Sequence, residues 1–593
     1  MEPIGNDRFE GWFRPDDLGR WEYDVLGWID HDDTWRRGLL VKVDAGVDVE
    51  LEIAEGRERL ARLARAARGN GDPDAAALVD AANEALTRGD VEPLRDPQFP
   101  EITWLHASRE PIARLPEVVD VDVDPERARF GAWYEFFPRS AVAPAEPPAT
   151  LQDAQDRLDR VAAMGFDVVY LPPVHPIGTV HRKGRNNATT ARPGDVGSPW
   201  AIGSALGGHE AVDPALGTID DVIAFAAACR ERGMQLALDL AFQCAPDHPW
   251  VSEHPEWFAH RPDGSIQYAE NPPKKYEDIY PLDFECEEWR SLWDALLAVI
   301  RTWIERGVTI FRVDSPHTKA FAFWEWAIGE VRREHPEVIF LAEAFTRPRV
   351  MERLAKIGFN QSYTYFAWRS TADELREYFI DLATRTVDHF RPNAWPNTPD
   401  ILTEELQQGG RATFVTRAVL AATLSPSWGV YGPAFELQEH VPRNHGSEEY
   451  LDSEKYQLRQ WHLDEPGSLA PVLTILNGIR RAEPALAHLR TIWFHLTDNP
   501  MLLCFSKSDP DGKGDPVVVV VNLDARHRQT GFVDLDLRQL GLPYGSTFDV
   551  VDLLGGGTRY TWTANRNYVD LVPWGTNAHV FSVRRRNPQE VQP

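Results

Sequence analysis

The pattern of hydrophobic and polar positions changes twice along the chain, and each change marks a predicted domain boundary. In residues 1–115, alternating positions predict short strands at 11–13, 20–29 and 39–43. Within this stretch, residues 55–95 carry apolar side chains at three- and four-residue spacing, which predicts helices. We therefore predict an N-terminal β-sandwich module with a helical insertion. The pattern of its first strand is exposed or missing, so we expect the module to be truncated at its start.

Residues 116–485 alternate short continuous apolar runs with amphipathic segments. Parallel strands buried on both faces and joined by crossover helices produce this pattern, and about eight repeats predict an α/β fold with a (β/α)8 barrel. Two long irregular stretches, 174–213 and 245–283, interrupt the pattern, and loops of that length usually serve function. In residues 486–593 the helices stop, and alternating strands between turn residues predict an antiparallel β-sandwich.

The composition narrows the possible partners. The chain has 593 residues, of which 91 are acidic and 62 basic, giving a net charge of −29. Nucleic acids and anionic membranes are polyanions, so we expect neither as a partner. The chain has no run of about 18 apolar residues that would indicate a membrane span, and its first residues lack a signal-peptide pattern. The four cysteines form no disulfide scaffold and no CxxC metal site. We expect a cytoplasmic protein without a metal.

Three acidic residues follow predicted barrel strands, where the chemistry of such barrels is located. Asp314 and Glu343 end the fourth and fifth strands, and Asp400 follows the seventh. Two facing carboxylates are what glycosidic-bond chemistry requires, and a third opposes the developing positive charge. Each acid alone is better explained as a strand-end cap or salt-bridge partner, but the three together favour a catalytic site. Arg312, on the same strand face as Asp314, is expected to keep that carboxyl ionised.

The residues around these acids resemble the α-amylase superfamily, glycoside hydrolase family 13. The matching segments are Phe-Arg-Val-Asp at 311–314, Phe-Leu-Ala-Glu-Ala at 340–344 and Thr-Pro-Asp at 398–400. The resemblance implies that Asp314 is the nucleophile, Glu343 the general acid/base and Asp400 the transition-state stabiliser. The chain departs from the pattern of ordinary amylases at two places: Gln243-Cys244 replaces Asn-His, and Pro399 replaces His. Because that Asn is the usual calcium ligand, we expect no metal and no other cofactor.

One branch of the superfamily is similar to this chain at those same departures: the α-1,4-glucan:maltose-1-phosphate maltosyltransferases. The segments that carry the similarity are 134–140, 171–178, 181–187, 247–250, 313–319 and 450–456. The resemblance implies transfer of a maltosyl unit from α-maltose 1-phosphate to an α-1,4-glucan. It also implies a homodimer.

The substrate-binding candidates come from the same resemblance and from the rarity of lysine. Carried over by position, the residues implied to hold the donor are Lys183, Gln243, Asp278, Lys455 and Tyr456. A sugar phosphate needs cationic or neutral donors, which predicted active-face loops also supply. These further candidates are Asn187, Asn271, Lys274, Tyr276 and, beside the nucleophile, Arg312 and Ser315. For Lys274 and its neighbour Lys275, a solvated pair of loop charges is an equal alternative.

Two other functions remain open at this point. The first is an α-glucan hydrolase or phosphorylase of the same superfamily, which would release reducing sugar from starch instead of phosphate from maltose 1-phosphate. The second is a catalytically idle glucan-binding protein, which would have no reason to keep Glu343 beside Asp314.

Replacing Ser315 by Asn tests the donor contact. The branch usually has Asn after the nucleophile, and the shorter serine hydroxyl needs a bridging water to reach the same group. We expect Ser315→Asn to change the KM for the phosphate donor while the chemistry is retained. Steady-state kinetics measures this, and an unchanged donor KM would contradict the prediction.

Overall fold

The computed structural model describes residues 1–142, 148–272 and 274–586, except for the side chain of Lys274. The chain divides into two compact units. One comprises residues 1–16 and 20–123, and the other comprises residues 17–19 and the chain from 124 onward.

The first unit consists mainly of helices. Its elements are β1 (Glu2–Gly5), β2 (Arg8–Glu10), β3 (Gly19–Tyr23), β4 (Leu26–Gly27), α1 (His31–Asp44), α2 (Glu50–Gly69), α3 (Pro73–Leu86), α4 (Phe99–His106), β5 (Ala113–Arg114) and β6 (Val119–Val123). The strands pair two at a time, as β1–β2, β3–β6 and β4–β5, and so form three two-stranded sheets. The sequence predicted a β-sandwich for this part of the chain. The helices share a small apolar core that includes Trp35, Leu60 and Val79.

The prediction of a strand at 39–43 is wrong, because these residues belong to α1. The side chain of Asp30 caps this helix by accepting hydrogen bonds from the backbone N–H groups of Asp32 and Asp33. Leu39 and Leu40 are buried on the helix. The capping residue and the helical spacing therefore override the short local alternation. The two helices predicted within 55–95 are present as α2 and α3.

The second unit begins with the predicted barrel, which is confirmed as eight parallel strands that close on themselves. Its strands in order are β7 (Gly131–Glu135), β8 (Val168–Leu171), β9 (Gln235–Leu240), β14 (Ile310–Asp314), β15 (Ile339–Glu343), β16 (Gln361–Tyr363), β17 (Pro392–Ala394) and β18 (Ser427–Tyr431), after which β18 pairs with β7. Short strands in the long loop are β10 (Gln243–Cys244), β11 (Ala269–Asn271), β12 (Lys274–Tyr276) and β13 (Tyr280–Pro281).

Helices follow most barrel strands and cover the outside of the sheet. The helices of this unit are α5 (Glu126–Arg129), α6 (Leu151–Ala154), α7 (Leu158–Ala163), α8 (Ile219–Glu231), α9 (Pro249–Glu253), α10 (Trp289–Glu305), α11 (Phe321–Glu334), α12 (Pro348–Lys356), α13 (Ala372–Thr384), α14 (Glu404–Leu424), α15 (Gly432–Glu436) and α16 (Ala470–Ala482). Among the described residues, none of the helices has the length and apolar character that crossing a bilayer requires.

Side chains alternate between the inside and the outside of the barrel wall, as the strand period requires. One face of the strands packs against the helices in the main core of the unit. The other face fills the barrel interior with a separate cluster that includes Trp133, Tyr170, Tyr363 and Trp395. The interior is thus a packed core, and the open space lies above it, where the strands end.

An antiparallel β-sandwich closes the described chain, as predicted. Its strands are β19 (Trp493–Thr497), β20 (Leu502–Lys507), β21 (Val517–Asn522), β22 (Gln529–Asp534), β23 (Thr547–Asp552), β24 (Thr558–Thr563), β25 (Arg566–Leu571) and β26 (Ala578–Arg585). They are hydrogen-bonded in the order β24-β23-β26-β21-β20-β19-β22-β25. An apolar core of its own, with Phe548, Trp562 and Phe581, lies between the layers.

The same small substitution at two glycines tests the tight packing of the barrel interior. A Cβ added at Gly429 in β18 would lie 2.3 Å from the Trp395 ring, whereas one at Gly478 in α16 would meet no atom within 4 Å apart from its chain neighbours and the backbone of its own helix. We expect Gly429→Ala to lower the free energy of unfolding by about 1–3 kcal/mol. Gly478→Ala should raise it by up to about 1 kcal/mol, because Ala favours helix. Thermal denaturation measures both, and equal effects would contradict the packing.

Candidate active site

Two of the strand-end carboxylates stand side by side at one end of the barrel. Asp314, the last residue of β14, is the register partner of Glu343, the last residue of β15. Arg312 contacts both: its guanidinium lies 2.9 Å from the Asp314 carboxylate and 3.7 Å from that of Glu343. The predicted pairing of Arg312 with Asp314 is therefore present, and the period of two along β14 explains it.

A third acid binds the same guanidinium from below. Asp239, on the neighbouring strand β9, lies 2.9 Å from Arg312 and also accepts hydrogen bonds from Tyr170 (2.5 Å) and Trp200 (3.2 Å). Burial raises the pKa of Asp239 above its usual range, although the Arg312 charge opposes the shift. Burial by itself would lower the pKa of Arg312, but the surrounding acids, Asp239 first, hold it well above its usual value. Arg312 is thus a permanent buried cation.

Glu343 has the environment of a carboxyl group that holds a proton near neutral pH. Burial raises its pKa to about 6, against the lowering effect of Arg312. One carboxylate oxygen accepts the backbone N–H of Ser315 at 3.0 Å and lies 3.4 Å from the Ser315 hydroxyl. Ser315 itself adopts a left-handed conformation with φ 43°. The backbone after the nucleophile therefore orients the second carboxylate.

A cavity of about 730 Å³ opens above these acids and collects most of the predicted site. Twelve of the fourteen predicted residues line it: Lys183, Asn187, Gln243, Asn271, Tyr276, Asp278, Asp314, Ser315, Glu343, Asp400, Lys455 and Tyr456. Arg312 is buried behind Asp314 instead of lining the space. Lys274 lies in β12, but its side chain falls outside the described part of the chain.

Two of the lysines that line this acidic cavity, Lys183 and Lys455, are paired with carboxylates. Lys183 is buried, and its ammonium group lies 2.6 Å from the carboxylate of Glu277, whose pKa this hydrogen bond lowers. Lys455 lies 2.5 Å from the Asp400 carboxylate and 5.0 Å from the centre of the Trp200 ring. Burial works against its charge, but Asp400 raises the pKa of Lys455 above its usual value. Both lysines therefore face the cavity with an acidic partner.

The remaining predicted residues supply neutral or weakly acidic groups. Gln243 lines the cavity and donates its amide hydrogen to the Trp200 carbonyl at 3.1 Å. Burial raises the pKa of Asp278 and of both tyrosines, Tyr276 and Tyr456. The two phenols therefore stay protonated and act as neutral hydrogen-bond donors.

Sequence reasoning left several cavity residues out of its candidate set, among them Trp200, Phe242 and His317, and it placed Lys319 in an active-face loop without assigning it a contact. Lys319 donates hydrogen bonds to the backbone carbonyls of Asp314 and Ser315, each at 3.2 Å, and burial lowers its pKa. Lys319 and His317 lie within the segment 313–319, so their closeness to the nucleophile in sequence was an available signal. Trp200 had none, because its position depends on the fold of a long loop.

The fold matches solved α-amylase structures. An α-amylase from Lactobacillus plantarum is 20% identical with a TM-score of 0.58, covering 76% of this chain and all of that chain. A maltogenic α-amylase from Thermotoga neapolitana is 17% identical with a TM-score of 0.61, covering 78% of this chain and all of that chain. At this identity the likeness concerns the fold: the chain has the barrel architecture of the α-amylases.

Relatives that match nearly the whole chain identify the family within the proteins of this fold. The α-1,4-glucan:maltose-1-phosphate maltosyltransferase of Chlorobaculum tepidum is 48% identical over 602 residues, covering 98% of this chain and 88% of that protein. The enzyme of the same name from Mycolicibacterium smegmatis is 50% identical, covering 97% of this chain and 84% of its own length. Residues 1–125 match the family model "Alpha-1,4-glucan:maltose-1-phosphate maltosyltransferase, domain N/S", and residues 494–583 match "GLGE, C-terminal". The chain belongs to this family of maltosyltransferases.

The protonation of Glu343 is directly measurable. We expect the infrared difference spectrum between the wild type and Glu343→Gln to show one protonated carboxyl group at low pH. That band should disappear with a midpoint near pH 6, because burial raises the pKa of Glu343 to about 6. The prediction would be contradicted if the band of the protonated Glu343 carboxyl disappeared below pH 5, about where exposed glutamates titrate.

Proposed function

We propose that this enzyme moves a maltosyl unit from α-maltose 1-phosphate to the non-reducing 4-hydroxyl of an α-1,4-glucan and releases phosphate. The names of its relatives point to these substrates. The observation that carries the proposal is the pair of adjacent strand-end carboxylates, Asp314 and Glu343, on either side of one buried guanidinium. The cavity above them is lined by Lys183, Lys319 and Lys455. This arrangement suits a sugar that carries an anionic leaving group.

In the proposed first step, the Asp314 carboxylate attacks C1 of the maltosyl unit from the face opposite the phosphate. The C1–O bond to phosphate breaks, and the proton on Glu343 passes to the leaving oxygen. A pKa of about 6 suits this role, because the group holds a proton near neutral pH and can still release it. The product is a β-maltosyl ester of Asp314 with inverted configuration at C1.

In the second step, Glu343 accepts the proton of the acceptor's 4-hydroxyl, which attacks C1 and releases Asp314. The two inversions give net retention, so an α-linked donor yields an α-1,4 bond. Asp400 opposes the positive charge that develops on the ring in both steps. Over the two steps, the C1–O bond to phosphate is broken and a C1–O bond to the glucan is formed. The proton that Glu343 gives to phosphate is replaced by the proton of the acceptor hydroxyl.

We assign the donor's phosphate to two of the cavity lysines. Lys183 and Lys455 line the cavity, and lysine is a compact mobile charge suited to phosphate. Gln243, Tyr276 and Tyr456 add neutral hydrogen bonds to the sugar hydroxyls. The protein's overall charge of −29 makes such local cations necessary for an anionic substrate.

Incubating the protein with α-maltose 1-phosphate and a short maltooligosaccharide tests the proposal. We expect phosphate release that depends on the acceptor, and products that grow by two glucose units. Reducing-sugar release from starch without the donor would favour a hydrolase instead. No turnover of either substrate would favour a glucan-binding protein. From the resemblance we further propose a homodimer in the cytoplasm, and sedimentation velocity tests the dimer.

Substitutions of the two central acids separate their roles. We expect Glu343→Gln to lower kcat by about 10²–10⁴-fold, the range for loss of a general acid/base. Asp314→Ala should abolish transfer, because no covalent ester can form. Asp373→Asn, at an exposed acid on α13, serves as the matched control and should leave turnover unchanged. Full activity of Asp314→Ala would refute the covalent mechanism.

A further inference from the structure

Two histidines and a cysteine form a buried cluster beside the end of strand β9. His209 and His248 are each 2% exposed, Cys244 is fully buried, and one potential ligand atom from each lies within 4.8 Å of the others. His209 belongs to the first long irregular stretch and His248 to the second. The cluster therefore joins the two loops that the sequence singled out.

The hydrogen bonds of the two imidazoles run in one direction. The backbone N–H of Trp250 donates to Nδ1 of His248 at 3.0 Å, so that nitrogen carries no hydrogen. The hydrogen of neutral His248 is then on Nε2, which lies 3.1 Å from Nδ1 of His209 and donates to it. His209 consequently carries its own hydrogen on Nε2 and donates to the carbonyl of Ala241 at 3.0 Å.

This direction argues against a metal at the cluster. A metal bound to Nε2 of His248 would require the hydrogen on Nδ1, where the Trp250 N–H already points. Burial lowers the pKa of His209 far below its usual value and that of His248 to about 3, so both rings remain neutral. Every polar ring atom of the pair is used within the chain of bonds, which we call the histidine relay: Trp250 N–H, His248, His209 and Ala241 C=O.

The backbone around the relay is shaped to hold it. A Cβ at Gly203 would lie 2.0 Å from the His248 ring, and one at Gly208 would lie 2.3 Å from its Nε2. Both positions therefore admit only glycine while His248 stays in place. Trp250 stacks on His209 with ring centres 5.0 Å apart. The relay is thus enclosed on several sides.

The relay ends at the backbone that carries a cavity residue. The Ala241 carbonyl accepts a second hydrogen bond, at 3.0 Å, from the backbone N–H of Gln243. Gln243 in turn lines the cavity. Two donors therefore fix one carbonyl at the tight turn 241–243, and this turn sets the direction in which the Gln243 side chain leaves the backbone.

We propose that His209 and His248 are positioning residues that hold Gln243 against the bound donor sugar. They lie outside the cavity lining and act through the Ala241 carbonyl. The inference rests on the proposed function, because it assigns Gln243 to the donor. It predicts that breaking the relay weakens donor binding and leaves the chemical step intact.

Two substitutions at His209 form a matched pair. His209→Gln places an amide N–H where the ring Nε2 donates, so the bond to Ala241 is kept. His209→Asn keeps an acceptor for His248 but is too short to reach Ala241. We expect His209→Asn to raise the donor KM about tenfold with kcat within about twofold, as loss of one buried hydrogen bond implies. His209→Gln should stay within about threefold of the wild-type KM.

A double substitution tests whether the effect passes through Gln243. In a Gln243→Ala background, His209→Asn should raise the donor KM no further. Equal KM values for the two His209 variants, or full additivity with Gln243→Ala, would overturn the proposal. If His209→Asn fails to fold, His248→Asn replaces it: asparagine still caps α9, but without the donor from His248 the hydrogen of His209 can move to Nδ1, which removes the bond to Ala241. A several-fold rise in donor KM is then expected, and no rise overturns the proposal.

Hydrogen exchange separates this inference from the proposed function. The amide of Gln243 should exchange faster in His209→Asn than in His209→Gln or the wild type, whatever the substrate is. If the wild type releases no phosphate from α-maltose 1-phosphate, the proposed function fails while this readout still tests the relay. Unchanged exchange in His209→Asn counts against the relay itself.

Discussion

One buried cation holds the candidate site together. The guanidinium of Arg312 touches Asp239 and Asp314 and approaches Glu343, on three adjacent strands. Without this charge, three carboxylates would share a space with little water, and like charges so close cannot all be ionised. With it, Asp314 keeps a fixed cationic partner while burial still raises the pKa of Glu343. The different tasks proposed for the two acids follow from their unequal contacts with a single neighbour.

The barrel supplies the geometry that this charge arrangement needs. Parallel pairing in register brings the ends of β14 and β15 to the same height, so Asp314 and Glu343 start from neighbouring backbone positions. The aromatic cluster in the barrel interior closes the space below them. The long loops then build the walls above, where Lys183, Gln243 and Lys455 meet around one cavity. The strands place the acids, and the loops place the groups proposed to bind substrate.

The parts of this structure that depend on local periodicity could be predicted, and those that depend on distant contacts could not. Asp314 and Glu343 were readable because each follows an apolar strand. The alternating pattern at 39–43 gave a wrong prediction of a strand. It is too short to outweigh the helix cap at Asp30 and the buried face of the helix. The pairing of Lys183 with Glu277 spans 94 positions and exists only once two loops have folded. The histidine relay was hidden for the same reason.

The contact between Lys183 and Glu277 has a consequence for any anion that approaches this lysine. Lys183 is already neutralised by a carboxylate, so an anion that reaches it exchanges one ion pair for another. The net gain is the difference between the two attractions, and a single negative charge offers little more than Glu277 does. A doubly charged ligand gains more, because its attraction exceeds that of the resident carboxylate. If Lys183 receives the donor's phosphate as proposed, this exchange of ion pairs favours a doubly charged phosphate over a singly charged anion at that lysine.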